Sequence, residues 1–414
     1  MNDWEMKQIK NLGRIVTGKT PPTNNLEYFG GNELFVSPKD LDWNSHYITE
    51  TETRITSKAL EKFKNQVIPR NTVMFTSLSF AFGKMGIASK PCLTNQQINS
   101  VIVNKENSSK FVYYLLRAYE PIIFSYNSGI DTPIVPKSVF EKIEVKIPSK
   151  KLQEKIAAIL STYDELIENN QRRIALLEKM AEEIYREWFV RLRFPGHEKV
   201  KKIKGVPEGW QRTKVVTLTS YLKRGVAPQY DDLAEGFAIN QKCIRDGKLD
   251  LSFARHQSRD VSADRQIRFG DVLVNSTGEG TLGRVAQVLT QLSNCIVDSH
   301  VTIVRPKHNV PIHYFGMTLK AWEVHFSTMG RGATNQTELS PTVIGNIEVT
   351  MPSKSLQDVF ESHAKPLFAQ ITYLAAQNER LTRTRDLLLP RLISGKLSVE
   401  HLDIQFPPGM EDHP

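Results

Sequence analysis

The sequence has few of the residues that would build a metalloprotein or a secreted fold. Three cysteines (Cys92, Cys243, Cys295) lie far apart in 414 residues with no CxxC pair. That excludes a disulfide framework and a cysteine-built zinc site, and it points to a reduced compartment. No apolar run approaches the roughly 20 residues of a membrane span, and Met1 to Glu5 carries no apolar stretch of a signal peptide. The expectation is a soluble, cytoplasmic protein without membrane contact. The ten histidines are scattered and no HxxxH pair occurs, so no metal site is expected. Neither an Asn-Pro-Pro-Tyr or Asp-Pro-Pro-Tyr element for amino methylation nor a PD-(D/E)xK nuclease core is present. No residue qualifies as catalytic.

What the chain does have is a repeat. Ile143-Glu144-Val145-Lys146-Ile147-Pro148-Ser149-Lys150-Lys151-Leu152-Gln153 returns as Ile347-Glu348-Val349-Thr350-Met351-Pro352-Ser353-Lys354-Ser355-Leu356-Gln357, 204 residues later and identical at eight positions. In each copy an alternating apolar run reads as a strand, Pro ends it, and Ser is placed as the N-cap of a long helix. Trp4, Leu12 and Gly18 are echoed by Trp210, Leu218 and Gly225, and Asn71 to Met74 by Gly270 to Leu273. The turn at Gly83 to Gly86 is matched with Gly280 to Gly283. A period this long exceeds any solenoid repeat and means a duplicated domain.

Length allows about two to three domains. A net charge of +9, from 54 basic and 45 acidic residues, suits a polyanionic partner. Short apolar alternations (Leu34 to Val36, Val73 to Phe75, Val101 to Val103; Val272 to Val274, Val301 to Val304) and a helical stretch at Phe111 to Tyr119 give each unit a mixed α/β character with a curved sheet. The segments Thr76 to Gly86, Ser125 to Pro133, Ser276 to Arg284 and Thr328 to Thr337 differ most between copies. Such loops on a common frame are where two binding surfaces diverge.

Two seams follow the repeated blocks. Ile156, Leu160, Tyr163, Ile167, Asn170, Ile174, Leu177, Ala181, Ile184 and Trp188 advance in alternating steps of four and three, as do Leu367, Ile371, Leu374, Asn378, Leu381, Arg385, Leu388 and Leu392. That 3.5-residue period calls for a partner helix. The expectation is an antiparallel, pseudo-two-fold pair of helices with a globular unit at either end. Asn170 and Asn378 sit where an aliphatic residue would pack better, which suggests a register role. Pro366 predicts a short first helix and a break near Lys365. Between the halves, Arg191 to Trp210 reads as a Pro/Gly-punctuated basic linker.

Two nucleotide-site patterns fail on context. Gly13 to Thr20 matches GxxxxGK[ST], yet Pro21 and Pro22 follow at once where a helix is needed, and the second copy lacks the Lys-Thr pair. Gly278 to Gly283 fits GxGxxG but no helical stripe follows it.

Trp4 through Gly18-Lys19-Thr20-Pro21, the Pro148 to Glu154 helix start, Phe194-Pro195-Gly196, Pro207-Glu208-Gly209-Trp210 and the ending Leu388 to Leu397 together resemble the specificity subunit of type I restriction-modification enzymes, over essentially the whole chain. The resemblance implies target recognition domains at 1–147 and 209–351, spacer helices at 148–192 and 352–396, a linker at 193–208 and a tail at 397–414. It implies double-stranded DNA as ligand, read as a bipartite, asymmetric site, with two methyltransferase subunits and restriction/translocase subunits as partners. S-adenosylmethionine, ATP and Mg would belong to those partners, and this subunit would be a non-catalytic, cofactor-free member of an adenine-N6 methyltransferase and endonuclease complex. By residue type and loop position, the candidate DNA contacts are Lys19, Lys39 and Lys84 in the first domain and Arg224, Lys242, Arg284, Arg331, Asn335 and Gln336 in the second. The alternative is a self-standing, repressor-like DNA binder with the same two readers and no methyltransferase.

Overall fold

A computed structural model describes residues 4–41, 46–78, 81–129, 131–203, 205–330 and 337–404. It resolves into two compact units, residues 1–172 with 375–414 and residues 173–374. In the first, the strand Gly13–Thr17 opens a sheet whose order continues through Ile98–Val103, Val73–Thr76, Met85–Ala88 and Tyr47–Ile48. A second sheet sets Phe29–Val36 parallel to Cys92–Thr94 and antiparallel to Arg54–Ile55. In the other unit Thr219–Arg224, Val301–Pro306, Val272–Asn275 and Val285–Gln287 repeat the first order, and Gly236–Ile239 lies between parallel Cys295–Val297 and antiparallel Arg255–Gln257. Both units are mixed α/β and share the four-strand order and the three-stranded sheet, and the first adds Tyr47–Ile48 as a fifth strand parallel to Met85–Ala88. A bulge between Thr219 and Tyr221 bends its strand.

The interiors explain these strands. Val73, Met74 and Phe75 are buried, as are Val272, Leu273 and Val274, because each central strand is covered on both faces. One face of the first unit packs on the helix Ser109–Ser125 through Phe111, Val112 and Leu115, and the second on Ile312–Ala321 through Phe315 and Leu319. Cys92, Cys243 and Cys295 are free and buried. Burial pushes the Cys92 and Cys295 thiols up to about 12, so they behave as apolar core residues.

The repeated block has a common purpose. Its strand closes each unit by pairing antiparallel with the strand after the N-terminal Trp, Glu5 against Ile147 and Gln211 against Met351. The block's glutamine then folds back: Gln153 Nε2 donates to the Pro148 carbonyl at 2.9 Å and Gln357 Nε2 to that of Pro352 at 2.6 Å. Both glutamines are buried, so each amide fixes the angle at which a helix leaves its strand.

The first long helix is Lys150–Tyr185, followed by a wider turn at Arg186–Val190 in which Arg191 N–H donates to the Arg186 carbonyl; the second is Lys354–Ile393. Within the first unit they run antiparallel, since Asp164 meets Arg385 and Asn170 meets Asn378. Asn170 Nδ2 donates to Asn378 Oδ1 at 2.9 Å and to Gln377 Oε1 at 3.0 Å, and Asn378 Nδ2 to the Ile167 carbonyl at 3.3 Å. Ile156, Leu160 and Ile167 are buried in this unit, and Leu381 is half-buried. In the second unit Leu374 is buried, and Ile174 and Leu177 are half-buried. The break expected near Lys365 does not occur. Pro366 and Ser362, whose carbonyl loses its partner, both face solvent, while Phe360 and Ala364 are buried against Tyr185 and Tyr314. The freed carbonyl lies on the solvent-facing side, and packing on the opposite face keeps the helix continuous. The linker is more ordered than its composition suggests: Lys202–Ile203 pairs with Val206–Pro207, and Phe194 is buried against Trp210, ring centroids 5.2 Å apart.

Candidate nucleic-acid interface

In the first unit, backbone hydrogen bonds gather several loops at one end of the five-stranded sheet. Gly18 N–H donates to Ile98 O (3.1 Å), Ser77 N–H to Gln97 O (2.9 Å), Thr76 N–H to Lys84 O (2.9 Å), Val135 N–H to Ser77 O (2.8 Å) and Asn95 N–H to Val36 O (2.9 Å). Lys19 and Lys84 therefore stand at the same strand ends, and Lys39 follows the adjoining strand. Lys19 is exposed with its ammonium 5.8 Å from the centroid of the Phe63 ring. Lys84 is half-buried. Lys39 lies 3.6 Å from Glu52, both well exposed, a pairing weak enough to yield to a phosphate.

The second unit repeats the arrangement. Gly225 N–H donates to Val301 O, Ser276 N–H to His300 O, Asn275 N–H to Arg284 O, Leu339 N–H to Ser276 O and Asp298 N–H to Ile239 O. Lys242 is exposed. Arg284 donates to the Gly280 carbonyl at 2.9 Å. Arg224 is engaged within the unit, at 2.7 Å from Glu338 and in contact with the Ser276 and Leu339 carbonyls. Arg331, Asn335 and Gln336 lie outside the described residues.

These bonds set the register between copies. Lys39 and Lys242 are counterparts, each three residues after the carbonyl of Val36 or Ile239, and Lys84 and Arg284 are counterparts after Gly83 and Gly283. The sequence match of Gly83 with Gly280 is thus off by three: both Gly83 and Gly283 have φ of +81°, and each donates to the last residue of the central strand, Thr76 or Asn275. The glycine of the apparent phosphate loop serves packing. A Cβ on Gly18 would lie 2.0 Å from the Asn95 carbonyl oxygen, and one on Gly225 2.0 Å from that of Val297. Gly13–Thr17 is itself a strand, and Thr20 donates to Gln96 Oε1 at 2.6 Å. Gly278 to Gly283 is likewise a turn, leading into the strand Val285–Gln287.

Several functional candidates were missed by sequence reasoning. Asn95-Gln96-Gln97 and Asp298-Ser299-His300 are counterparts, because Gln97 N–H donates to Asn95 Oδ1 and His300 N–H to Asp298 Oδ1, both at 3.0 Å. Under them lies a polar layer: Asn99 Nδ2 donates to Ser77 Oγ at 2.8 Å, and the hydroxyls of Ser276 and Thr302 are 2.6 Å apart. Thr76 Oγ1 and its counterpart Asn275 Oδ1 are buried with no partner among the described residues. Beside this layer the Arg255 guanidinium stacks on Tyr230 at 3.6 Å. Burial and the Asp298 carboxylate push the Tyr230 hydroxyl above its ordinary range, with Arg255 opposing. The only available signal was an Asx residue two positions before an amide or imidazole, ahead of an apolar run.

Each patch offers cationic and amide donors on a fixed backbone, suited to phosphates and base edges. Among the described residues, no group of acidic, His or Cys side chains is placed to hold a metal ion, and no helix is long and apolar enough to cross a membrane.

Comparison with known proteins gives concordant matches. Residues 1–179 match the type I restriction modification DNA specificity domain. The chain is similar to the type I restriction enzyme MjaIX specificity subunit of Methanocaldococcus jannaschii, 27% identical across 97% of this chain and 95% of that one. It is 33% identical to the HindI specificity subunit of Haemophilus influenzae over 41% of this chain and 38% of the other. The crystal structure of a type I restriction-modification S subunit from M. genitalium shares the fold, with a TM-score of 0.62, 17% identity and coverage of 94% and 96%.

Proposed function

Because the chain belongs to the type I restriction-modification DNA specificity family, we propose that its two units each read one half of a bipartite, asymmetric DNA site for an adenine-N6 methyltransferase. Recognition of DNA sequence and assembly of the complex are the family's work, and the specificity subunit itself is non-catalytic. One observation carries the two-reader reading: a shared strand order and equivalent loop hydrogen bonds hold different side chains at equivalent positions, Lys84 against Arg284 and Gln97 against His300. Equal frames with unequal contacts recognise unequal half-sites.

Lys19, Lys39, Lys84, Lys242 and Arg284 contact phosphate or base in this reading, and Arg331, Asn335 and Gln336 join them on residue type alone. Arg224 has an indirect part, since its guanidinium braces Glu338 and two loop carbonyls. The long helices present exposed apolar side chains, Leu387 in the first unit and Leu176, Met180 and Tyr373 in the second, on which two methyltransferase subunits can dock. The complex works in the cytoplasm, and restriction subunits join it there. Long-read mapping of methylated adenines in a host carrying this chain with its partners tests the proposal. A split motif with unlike halves is expected; a single contiguous or palindromic motif refutes it.

A further inference from the structure

Resting on that two-reader reading, we infer that Gln97 and His300 are equivalent specificity-determining residues, and that each reads the major-groove edge of one purine, adenine in the first half-site and guanine in the second. Their equivalence is structural. Gln97 O accepts from Ser77 N–H just as His300 O accepts from Ser276 N–H, and each N–H is tied to the Asx side chain two residues before it.

What differs is the hydrogen-bonding face that each presents. Asn95 Nδ2 donates to Gln97 Oε1 at 3.0 Å, which orients the Gln97 amide. Its Nε2 makes no hydrogen bond among the described residues, and Oε1 keeps a second lone pair. A donor beside an acceptor on one amide complements adenine, whose major-groove edge offers N7 as acceptor and N6 as donor. In the second unit Gln241 Nε2 donates to Thr277 Oγ1 at 2.8 Å, and Thr277 Oγ1 lies 2.8 Å from His300 Nδ1. With the hydroxyl donating to Nδ1, the ring proton resides on Nε2. That nitrogen is 4.0 Å from Asp298 Oδ1, beyond hydrogen-bond reach, on a side chain 54% exposed. A lone donor with no adjoining acceptor complements N7 and O6 of guanine and gains nothing from the N6 donor of adenine.

The two patches therefore differ in hydrogen-bond pattern. Lys84 and Arg284, one strand away in their respective units, supply cations at equivalent positions and contribute little to the difference. Preorganisation favours the assignment: the ring of His300 is held by Thr277, and the amide of Gln97 by Asn95, before DNA arrives.

The test is selection from a randomised duplex DNA library by the complete chain assembled with its methyltransferase subunits, for the wild type, Gln97→His and His300→Gln. Gln97→His should move one position of the first half-site from adenine toward guanine, changing the preference ratio about tenfold or more, and leave the second half-site alone. His300→Gln should do the reverse in the second half. Gln97→Ala and His300→Ala require no new contact, and must relax only that position while thermal melting stays unchanged. Unchanged motifs in all four variants, or a loss of affinity equal on every sequence, overturn the inference and leave the two-reader function standing. A wild type that selects no split motif overturns both.

Discussion

The buried ion pair between the two helices of the first unit gives a sharp energetic prediction. Asp164 and Arg385 side chains are 2% and 1% exposed and in direct contact. Asp164 also accepts from the Tyr114 hydroxyl at 2.6 Å and lies 2.7 Å from His46 Nε2, so the pair ties both helices to the globular part of the unit. Arg385→Met keeps much of the volume but leaves the Asp164 charge buried without its guanidinium partner, which should cost about 3 to 5 kcal/mol. Arg385→Met with Asp164→Leu removes the stranded charge and should recover more than half of that loss. The pH dependence follows in sign. Burial alone would raise the Asp164 carboxyl, but His46, Arg385 and Tyr114 hold it down at about 2, against an ordinary 3.8. A depressed carboxylate stabilises above its ordinary value and loses that contribution as pH falls from about 4 to about 2, roughly 2 kcal/mol in all. A two-unit chain has no single unfolding free energy, so amide exchange across 155–168 is the readout. A cost below about 1 kcal/mol for Arg385→Met, or a double variant as poor as the single, would refute the reasoning.

Gly18→Ala should destabilise the first unit by at least about 2 kcal/mol, because the new methyl meets a backbone carbonyl that cannot move without breaking the Asn95 to Val36 hydrogen bond; Gly225→Ala should do the same in the second, and proteolysis of each unit reads the effect. Asn170→Leu alone strands Asn378 and should cost about 1 to 3 kcal/mol by amide exchange in the helix pair, whereas leucine at both positions should stabilise the pair and loosen its register. Pro366→Ala should raise stability, by up to about 3 kcal/mol, since the helix already runs through that residue.

The duplication was legible in the sequence because the recurring block carries backbone requirements that few residues meet: a strand, a proline stop, and a glutamine that must reach back to the proline carbonyl. The heptad seam was legible for a similar reason, since a partner helix demands period 3.5. Pro366 misled because the rule against proline in a helix presumes a buried orphan carbonyl, and Ser362 is exposed. The three-residue slip at Gly283 arose because the stretch holds three glycines, and only the hydrogen bond to Asn275 says which one makes the turn. Lys84 and Arg284 could be nominated from their glycine turns. Gln97 and His300 could not, because their equivalence depends on the strand ends that Ser77 and Ser276 reach in space. The Asp164 network was equally hidden, for its members come from four separate elements.

The central claim is that each unit reads its own half-site. Once the target motif is mapped, affinities of the wild type, Lys84→Ala and Arg284→Ala should be measured on three duplexes: intact, first half scrambled, second half scrambled. The account predicts that each substitution weakens binding on the intact site, that the Lys84→Ala penalty shrinks only when the first half is scrambled, and that the Arg284→Ala penalty shrinks only when the second is. If both penalties depend on the same half, or on neither, the two units are not independent readers.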